Sequence, residues 1–93
     1  MYRVIVLYQQ EPESDSYAEH VEICRRVPQS VFRHGKVTGA PMGEPAHAYF
    51  AEWEFADEAA FANATRSEEF IATGKDAYKR GFPQPSVEFV ELS

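Results

Sequence analysis

Three histidines (His20, His34 and His47), one cysteine (Cys24) and a scatter of tyrosines carry the acid–base and nucleophilic chemistry open to this chain. His20 is the best placed of them. It follows Tyr17 by three residues and precedes Cys24 by four, the spacing of one helix face, so its imidazole shares a stripe with apolar neighbours. A half-buried imidazole titrates near neutrality and can act as acid, base or hydrogen-bond donor. The plainer role is a histidine satisfied by a neighbouring carbonyl or carboxylate. His34 and His47 fall on two strands expected to be neighbours, but no His-x-His or His-x-x-x-His spacing marks a metal site, and none is expected. Asp76 either pairs at the surface with Lys75 or Lys79 or orients His20 across a pocket. Cys24 reads as a small buried hydrophobe. No Cys–His nucleophile arrangement and no G-x-x-x-x-G-K phosphate loop are present.

Aromatic residues make up 14% of the chain and run from Tyr2 to Phe89, so they must find a core, an interface or a pocket. Tyr17, Tyr49, Trp53 and Tyr78 are the candidate substrate-binding residues, flat apolar walls able to stack a planar ligand. Core or dimer interface is the competing role for Tyr49 and Trp53.

The elements that must position these side chains follow from periodicity. Residues 2–8 are apolar on both faces apart from Arg3, as a central strand would be. Ser16 with Glu19 fits a capping box, and the helix carrying His20 should end near Val27 because Pro28 disfavours helix there. A weaker strand covers 30–38, with Gly35 inside it. The breaker-rich loop 39–45 leads into a strand over 46–55, whose His47, Tyr49, Ala51, Trp53 and Phe55 share a face, the aromatic-rich and therefore the more buried one, with Ala46, Ala48, Phe50, Glu52 and Glu54 on the other. Asp57 caps a short helix to about Thr65, and Ser67 caps a further helical piece with Phe70, Gly74, Ala77 and Tyr78 on one face. Gly81 stops it, and Ser86 to Leu92 form the last strand. The order β, α, β, β, α, β is the ferredoxin-like arrangement: an α+β fold, one domain over residues 1–93, with both helices on one face of an antiparallel sheet. The other face is left bare. If it carries Tyr, Trp and Phe it needs a cover, and a second copy packed sheet to sheet supplies one, a two-fold homodimer.

With 93 residues and a net charge of −6, the chain is one small acidic domain. Its only basic clusters, Arg25-Arg26 and Lys79-Arg80, sit where cations complement helix C-termini, so no nucleic-acid partner is expected. No run approaches the roughly 20 apolar residues of a membrane span, and no membrane partner is expected. A single cysteine excludes an internal disulfide, and a cytoplasmic location is the default.

Several local patterns, taken together, resemble the EthD family within the dimeric α/β-barrel superfamily. They are the strand ending in Leu7-Tyr8 before Pro12, His20 followed after eight residues by Pro28, Glu52-Trp53-Glu54-Phe55 before Asp57, and Ser67, Asp76 and Tyr78 in the second helical region. Glu22 and Gln29 depart from the family pattern, which often has Pro and Gly there. The resemblance spans roughly Tyr2 to Leu92 and implies a homodimeric α/β barrel with a semi-open apolar pocket in each subunit. It implies a cofactor-free protein acting on a small hydrophobic or aromatic molecule. If that protein is an enzyme, the chemistry is proton transfer (isomerase, decarboxylase or oxygenase type) with His20 as acid or base. The alternative is a non-catalytic dimer that binds a small ligand or haem.

Overall fold

A strand apolar on both faces must lie inside a sheet, and the computed structural model, which describes residues 1–93, places it there. The elements are β1 (Tyr2–Tyr8), α1 (Ser14–Cys24), β2 (Val31–Lys36), β3 (Tyr49–Phe55), α2 (Glu58–Thr65), α3 (Glu68–Lys79) and β4 (Ser86–Glu91). The sheet order is β2-β3-β1-β4, antiparallel throughout, so β1 sits between β3 and β4. This is the ferredoxin-like α+β fold, with the second helical region split into two pieces.

Register decides which side chains face the helices. Tyr2, Val4, Val6 and Tyr8 stand opposite Phe55, Trp53, Ala51 and Tyr49, and Phe32 and His34 stand opposite Trp53 and Ala51. Directly opposed residues share a face. That face packs against the α1 stripe of Tyr17, His20, Val21 and Cys24, all buried as the helical spacing implies. Val4, Tyr8, Cys24 and Phe55 are the largest side chains fully removed from solvent, each worth about 1.5 to 3 kcal/mol in transfer terms for an aliphatic or aromatic group.

The opposite face differs from the aromatic surface considered from sequence. Trp53, Phe55 and Tyr49 turn towards the helices, because odd-numbered positions of β3 pair with even-numbered positions of β1. The uncovered face carries half-buried Ile5, Leu7 and Phe50 beside an ion network. In that network Arg33 Nη1 lies 2.8 Å from Glu52 and 3.1 Å from Glu54, and Arg3 Nη2 lies 3.1 Å from Glu54. Glu52 is 5% exposed, covered by the two arginines.

Element ends differ in detail. The N-cap of α1 is Glu13, whose carboxylate accepts from the Asp15 and Ser16 amides, in place of the Ser16–Glu19 box. A carboxylate long enough to reach the free amides also complements the helix dipole. The helix stops at Cys24 rather than Val27, and the chain turns through Gln29 at φ 57°. That left-handed value is what glycine adopts freely, and it explains the frequent glycine at this place in the resembling family. Residues 46–48 lie before β3, not in it, although the Ala48 amide still donates to Tyr8 O at 2.8 Å. Asp57 and Ser67 cap α2 and α3 as expected, accepting from the Ala60 and Phe70 amides. Gly81, at φ 71°, ends the helical region.

Candidate functional site

His20 is brought to α3 by the packing of α1 against it. Its ring is 3% exposed, and Nδ1 lies 2.7 Å from Asp76 Oδ2, a contact across 56 residues of sequence. The same carboxylate oxygen accepts from Arg80 Nε at 2.7 Å, and Arg80 Nη1 reaches back to Glu19 at 2.8 Å and Ser16 Oγ at 3.2 Å. Burial pulls the Asp76 carboxyl upward, but hydrogen bonds from Arg80 and His20, with their charges, outweigh it and hold it below the ordinary carboxylate range. An ionised Asp76 accepts from Nδ1–H, so in the neutral ring Nε2 is the nitrogen left without a proton. Nε2 has no partner within the chain. The one fully enclosed, unpartnered side-chain nitrogen or oxygen is Arg3 Nε, so Nε2 is not sealed off.

Aromatic rings surround this pair. Tyr17 lies with its centroid 5.3 Å from that of His20, and Phe82 presents its edge at the same distance. Tyr17 in turn touches His34 at 5.4 Å and Tyr49 at 5.1 Å. Burial drives the Tyr17 phenol far up and pushes that of Tyr8 up to about 12, so both stay protonated at neutral pH. A cleft of about 270 Å³ opens on the far side of Tyr17, walled by Tyr49, His34, Pro12, Glu11 and Lys36. A second, shallower hollow of about 650 Å³ lies on the outer surface of the helices, with Ile23, Asp76, Tyr78 and Lys79 in its walls.

The candidates from sequence therefore separate. Tyr17 and Tyr49 share the cleft. His20 sits behind Tyr17 and lines none of the four hollows. Tyr78 is 89% exposed on the outer face of α3, because that helix buries Thr73 instead of the Gly74–Tyr78 face. Trp53 is 4% exposed in the core, where Nε1–H donates to Cys24 O at 2.9 Å and the ring packs on Phe32 and Phe70. It borders neither hollow just described. Asp76 takes His20 and Arg80 as partners in place of Lys75 or Lys79. Burial above all, with the Asp76 charge, pushes the Cys24 thiol up to about 12, leaving it an inert hydrophobe. His47 lies outside β3, and no group of three His, Cys, Asp or Glu side chains is arranged to hold a metal ion.

Arg80, Phe82 and the His34–Tyr49 hydrogen bond of 2.7 Å were not singled out by sequence reasoning. Arg80 carried a signal: it follows Asp76 by four residues, the spacing at which an acid and a base meet on a helix. Phe82 carried none, since it meets its partners only through the packing of distant segments; His34 was named for its imidazole and its neighbouring strand, but the diagonal contact with Tyr49 depends on the register of β2 against β3.

The sheet order, the helices on one face and a buried histidine bound to a carboxylate define a ferredoxin-like α+β protein in which one imidazole is held between two helices. No protein-family model and no curated protein matches the sequence. Among solved structures, the chain is similar over its full length to an ethyl tert-butyl ether degradation (EthD) family protein from Bacillus halodurans C-125, with 27% identity, 100% of this chain and 99% of that one covered, and a TM-score of 0.79. The resemblance to the EthD family drawn from the sequence is thus borne out. A dimeric ferredoxin-like protein of unknown function from Jannaschia sp. CCS1 is similar at 18% identity, covering 98% of each chain, with a TM-score of 0.71. SnoaB, a cofactor-independent oxygenase from Streptomyces nogalater, shares the fold at 16% identity, over 98% of this chain and 89% of that one, with a TM-score of 0.56.

Proposed function

We propose that the chain is a homodimeric, EthD-like small-molecule protein in which His20, oriented by Asp76, transfers a proton on a small hydrophobic or aromatic substrate. The observation that carries this reading is the 2.7 Å hydrogen bond from His20 Nδ1 to Asp76 Oδ2 in a nearly closed, aromatic setting. A fixed Nδ1–H makes Nε2 the base; the carboxylate then stabilises the imidazolium that forms, and Arg80 holds the carboxylate in place. Isomerisation can proceed by such proton transfer alone; in a decarboxylation the substrate loses carbon dioxide, delocalises the electron pair of the broken C–C bond and takes a proton from the imidazolium; and a cofactor-independent oxygenase stands among the proteins that share the fold. Tyr17 and Tyr49 are the substrate-binding walls in this reading, with Asp76 and Arg80 as positioning residues. Trp53, in the core, and Tyr78, in the wall of the outer hollow, do not border the Tyr17–Tyr49 cleft, and a ligand would reach Tyr78 only from the outer face of the helices.

Homodimerisation is supported by the dimeric ferredoxin-like relative and by Ile5, Leu7 and Phe50 on the uncovered sheet face. No helix is long and apolar enough to cross a membrane. A cytoplasmic site is part of the same proposal, and one free, buried cysteine suits a reducing compartment.

A second reading, a binding protein without turnover, is favoured by one observation: the His20 ring lines no hollow. A thermal-shift screen with small aromatic acids, phenols, lactones and haem, followed by turnover assays on any hit, separates the two. At one hundred times its dissociation constant a specific ligand adds about 2.7 kcal/mol of stability. Turnover that disappears in His20→Gln and falls in Asp76→Asn, with binding retained, supports proton transfer. Binding without consumption of the ligand, unchanged in both variants, supports the second reading and ends the first.

A further inference from the structure

We propose that the cleft between the start of α1 and the β2–β3 edge is a binding site for a small aromatic carboxylate, received by His34 Nε2–H and the Lys36 ammonium. This takes from the reading above only that the chain holds a small ligand, and it does not depend on His20 chemistry.

The hydrogen bond between His34 Nδ1 and Tyr49 Oη, 2.7 Å long, sets the donor. Neutral imidazole nitrogen is a far better acceptor than a phenol oxygen, and Tyr49 Oη has no other partner in the chain, so the phenol donates and Nδ1 accepts. Burial, together with the nearby Arg25 guanidinium, holds the His34 imidazole below its ordinary value, and burial with the Glu11 charge raises the Tyr49 phenol, so both groups are neutral at pH 7. Nδ1 being an acceptor, the ring proton resides on Nε2, which becomes a fixed donor at the cleft.

One cation, Lys36, and one carboxylate, Glu11, line the cleft, and they pair with each other. Lys36 reaches only Glu11, at 3.4 Å, through an exposed pair with 69% and 41% of the two side chains accessible. Such a contact is weak and exchangeable, and a ligand carboxylate can take the place of Glu11. Arg25 adds a positive field without occupying the cleft. Space and walls set the rest of the ligand. About 270 Å³ lies at the lower end of ordinary ligand pockets, which begin near about 300 Å³, so a single ring fits. Tyr17, Tyr49 and Pro12 give that ring flat apolar contacts.

The test uses benzoate as the probe and benzyl alcohol as its uncharged counterpart, in titrations followed by amide and side-chain NMR at low salt. Benzoate should shift the signals of Tyr17, His34 and Tyr49 saturably, and benzyl alcohol should bind at least tenfold more weakly, about 1.4 kcal/mol. His34→Ala and Lys36→Met should each weaken benzoate about tenfold, while His34→Gln, which keeps an N–H donor, should retain most of the affinity. Tyr49→Phe should weaken it too, by freeing the tautomer. His20→Gln should leave it unchanged. The proposal is overturned if no saturable shift appears in the cleft, if His34→Ala and Lys36→Met both bind as wild type does, or if benzyl alcohol binds as tightly as benzoate. Benzoate bound normally by a His20→Gln protein that retains turnover of its substrate would remove the proton-transfer reading and leave this one standing.

Discussion

The Asp76 carboxylate joins two of the three helices, α1 and α3: one of its oxygens is 2.7 Å from His20 Nδ1 on α1 and 2.7 Å from Arg80 Nε, the residue that caps α3. The bond to His20 is local to neither helix, so it registers α1 against α3 and fixes the imidazole plane at once.

A carboxyl held below its ordinary value stabilises the fold in full above its unfolded pKa, about 3.9, and loses that contribution as pH falls through the folded value. Asp76→Asn should therefore lower the melting temperature at pH 7, and the gap to wild type should narrow as pH drops below about 4. Thermal melts between pH 3 and 7 check this. A gap of constant size across that range would mean that Asp76 gains nothing from being ionised.

Much of this arrangement was legible and some was not, for physical reasons. The α1 stripe was readable because Tyr17, His20, Val21 and Cys24 obey one helical period, and all four are buried. The central place of β1 was readable from its two apolar faces. The two faces of β3 were readable from alternation, but the ion network on the uncovered face was not, because the partners of Glu52 and Glu54 are set by register, a tertiary property. The outward position of Tyr78 was not legible either: α3 turns Thr73 inward, between Phe70 and Ala77, and the sparse hydrophobic pattern of the segment did not show that Tyr78 falls at the edge of that row. Asp76 was weighed against His20 and against the lysines beside it. Only the meeting of α1 with α3 decides between them.

Gln29 carries a backbone cost at φ 57° that a glycine would not. Its side chain returns little, one exposed contact of 3.4 Å from Asn63 Nδ2. Gln29→Gly should raise stability by about 0.5 to 1 kcal/mol, the relief of left-handed strain less the added freedom of the unfolded chain. Urea unfolding at equal m-value measures it. A loss of stability would show that the Asn63 contact outweighs the strain.

Trp53 Nε1–H is the side-chain partner of the Cys24 carbonyl beyond the end of α1, in the core. Trp53→Phe leaves the Cys24 carbonyl only the long 3.4 Å bond from the Val27 amide and opens a void beside Phe32 and Phe70, a cost of about 2 to 4 kcal/mol. In the native protein Cys24 should resist thiol reagents, being 0% exposed with its thiol pushed up to about 12. Trp53→Phe should speed its labelling by opening the core more often. Equal labelling rates in the two proteins would show that Trp53 does not guard Cys24.

Leu7 and Phe50 oppose each other on the uncovered sheet face. In a homodimer built on that face, Leu7→Glu places a charge within an apolar contact. The expected outcome is a shift from dimer to monomer in sedimentation at micromolar concentration, with the far-ultraviolet spectrum of the subunit retained. Wild-type protein that sediments as a monomer removes the dimer from the proposal.

Phe82 closes the space beside His20. It follows Gly81, whose φ of 71° turns the chain at the end of α3, and its ring edge lies 5.3 Å from the imidazole and 5.6 Å from Tyr17. Phe82 and Tyr17 are the two rings packed against the imidazole, so they are the groups whose removal should widen access to it. Diethyl pyrocarbonate, which acylates unprotonated imidazole, should therefore modify exposed His34 well before His20 in the wild type. Phe82→Ala should bring the two rates together by removing the ring, while the Asp76 hydrogen bond keeps Nε2 as the reactive nitrogen. If the rate at His20 stays low in Phe82→Ala, then Tyr17 is the barrier, and Tyr17→Ala should release it. If neither variant exposes His20, the imidazole is a clamp between α1 and α3, and the proton-transfer role is lost.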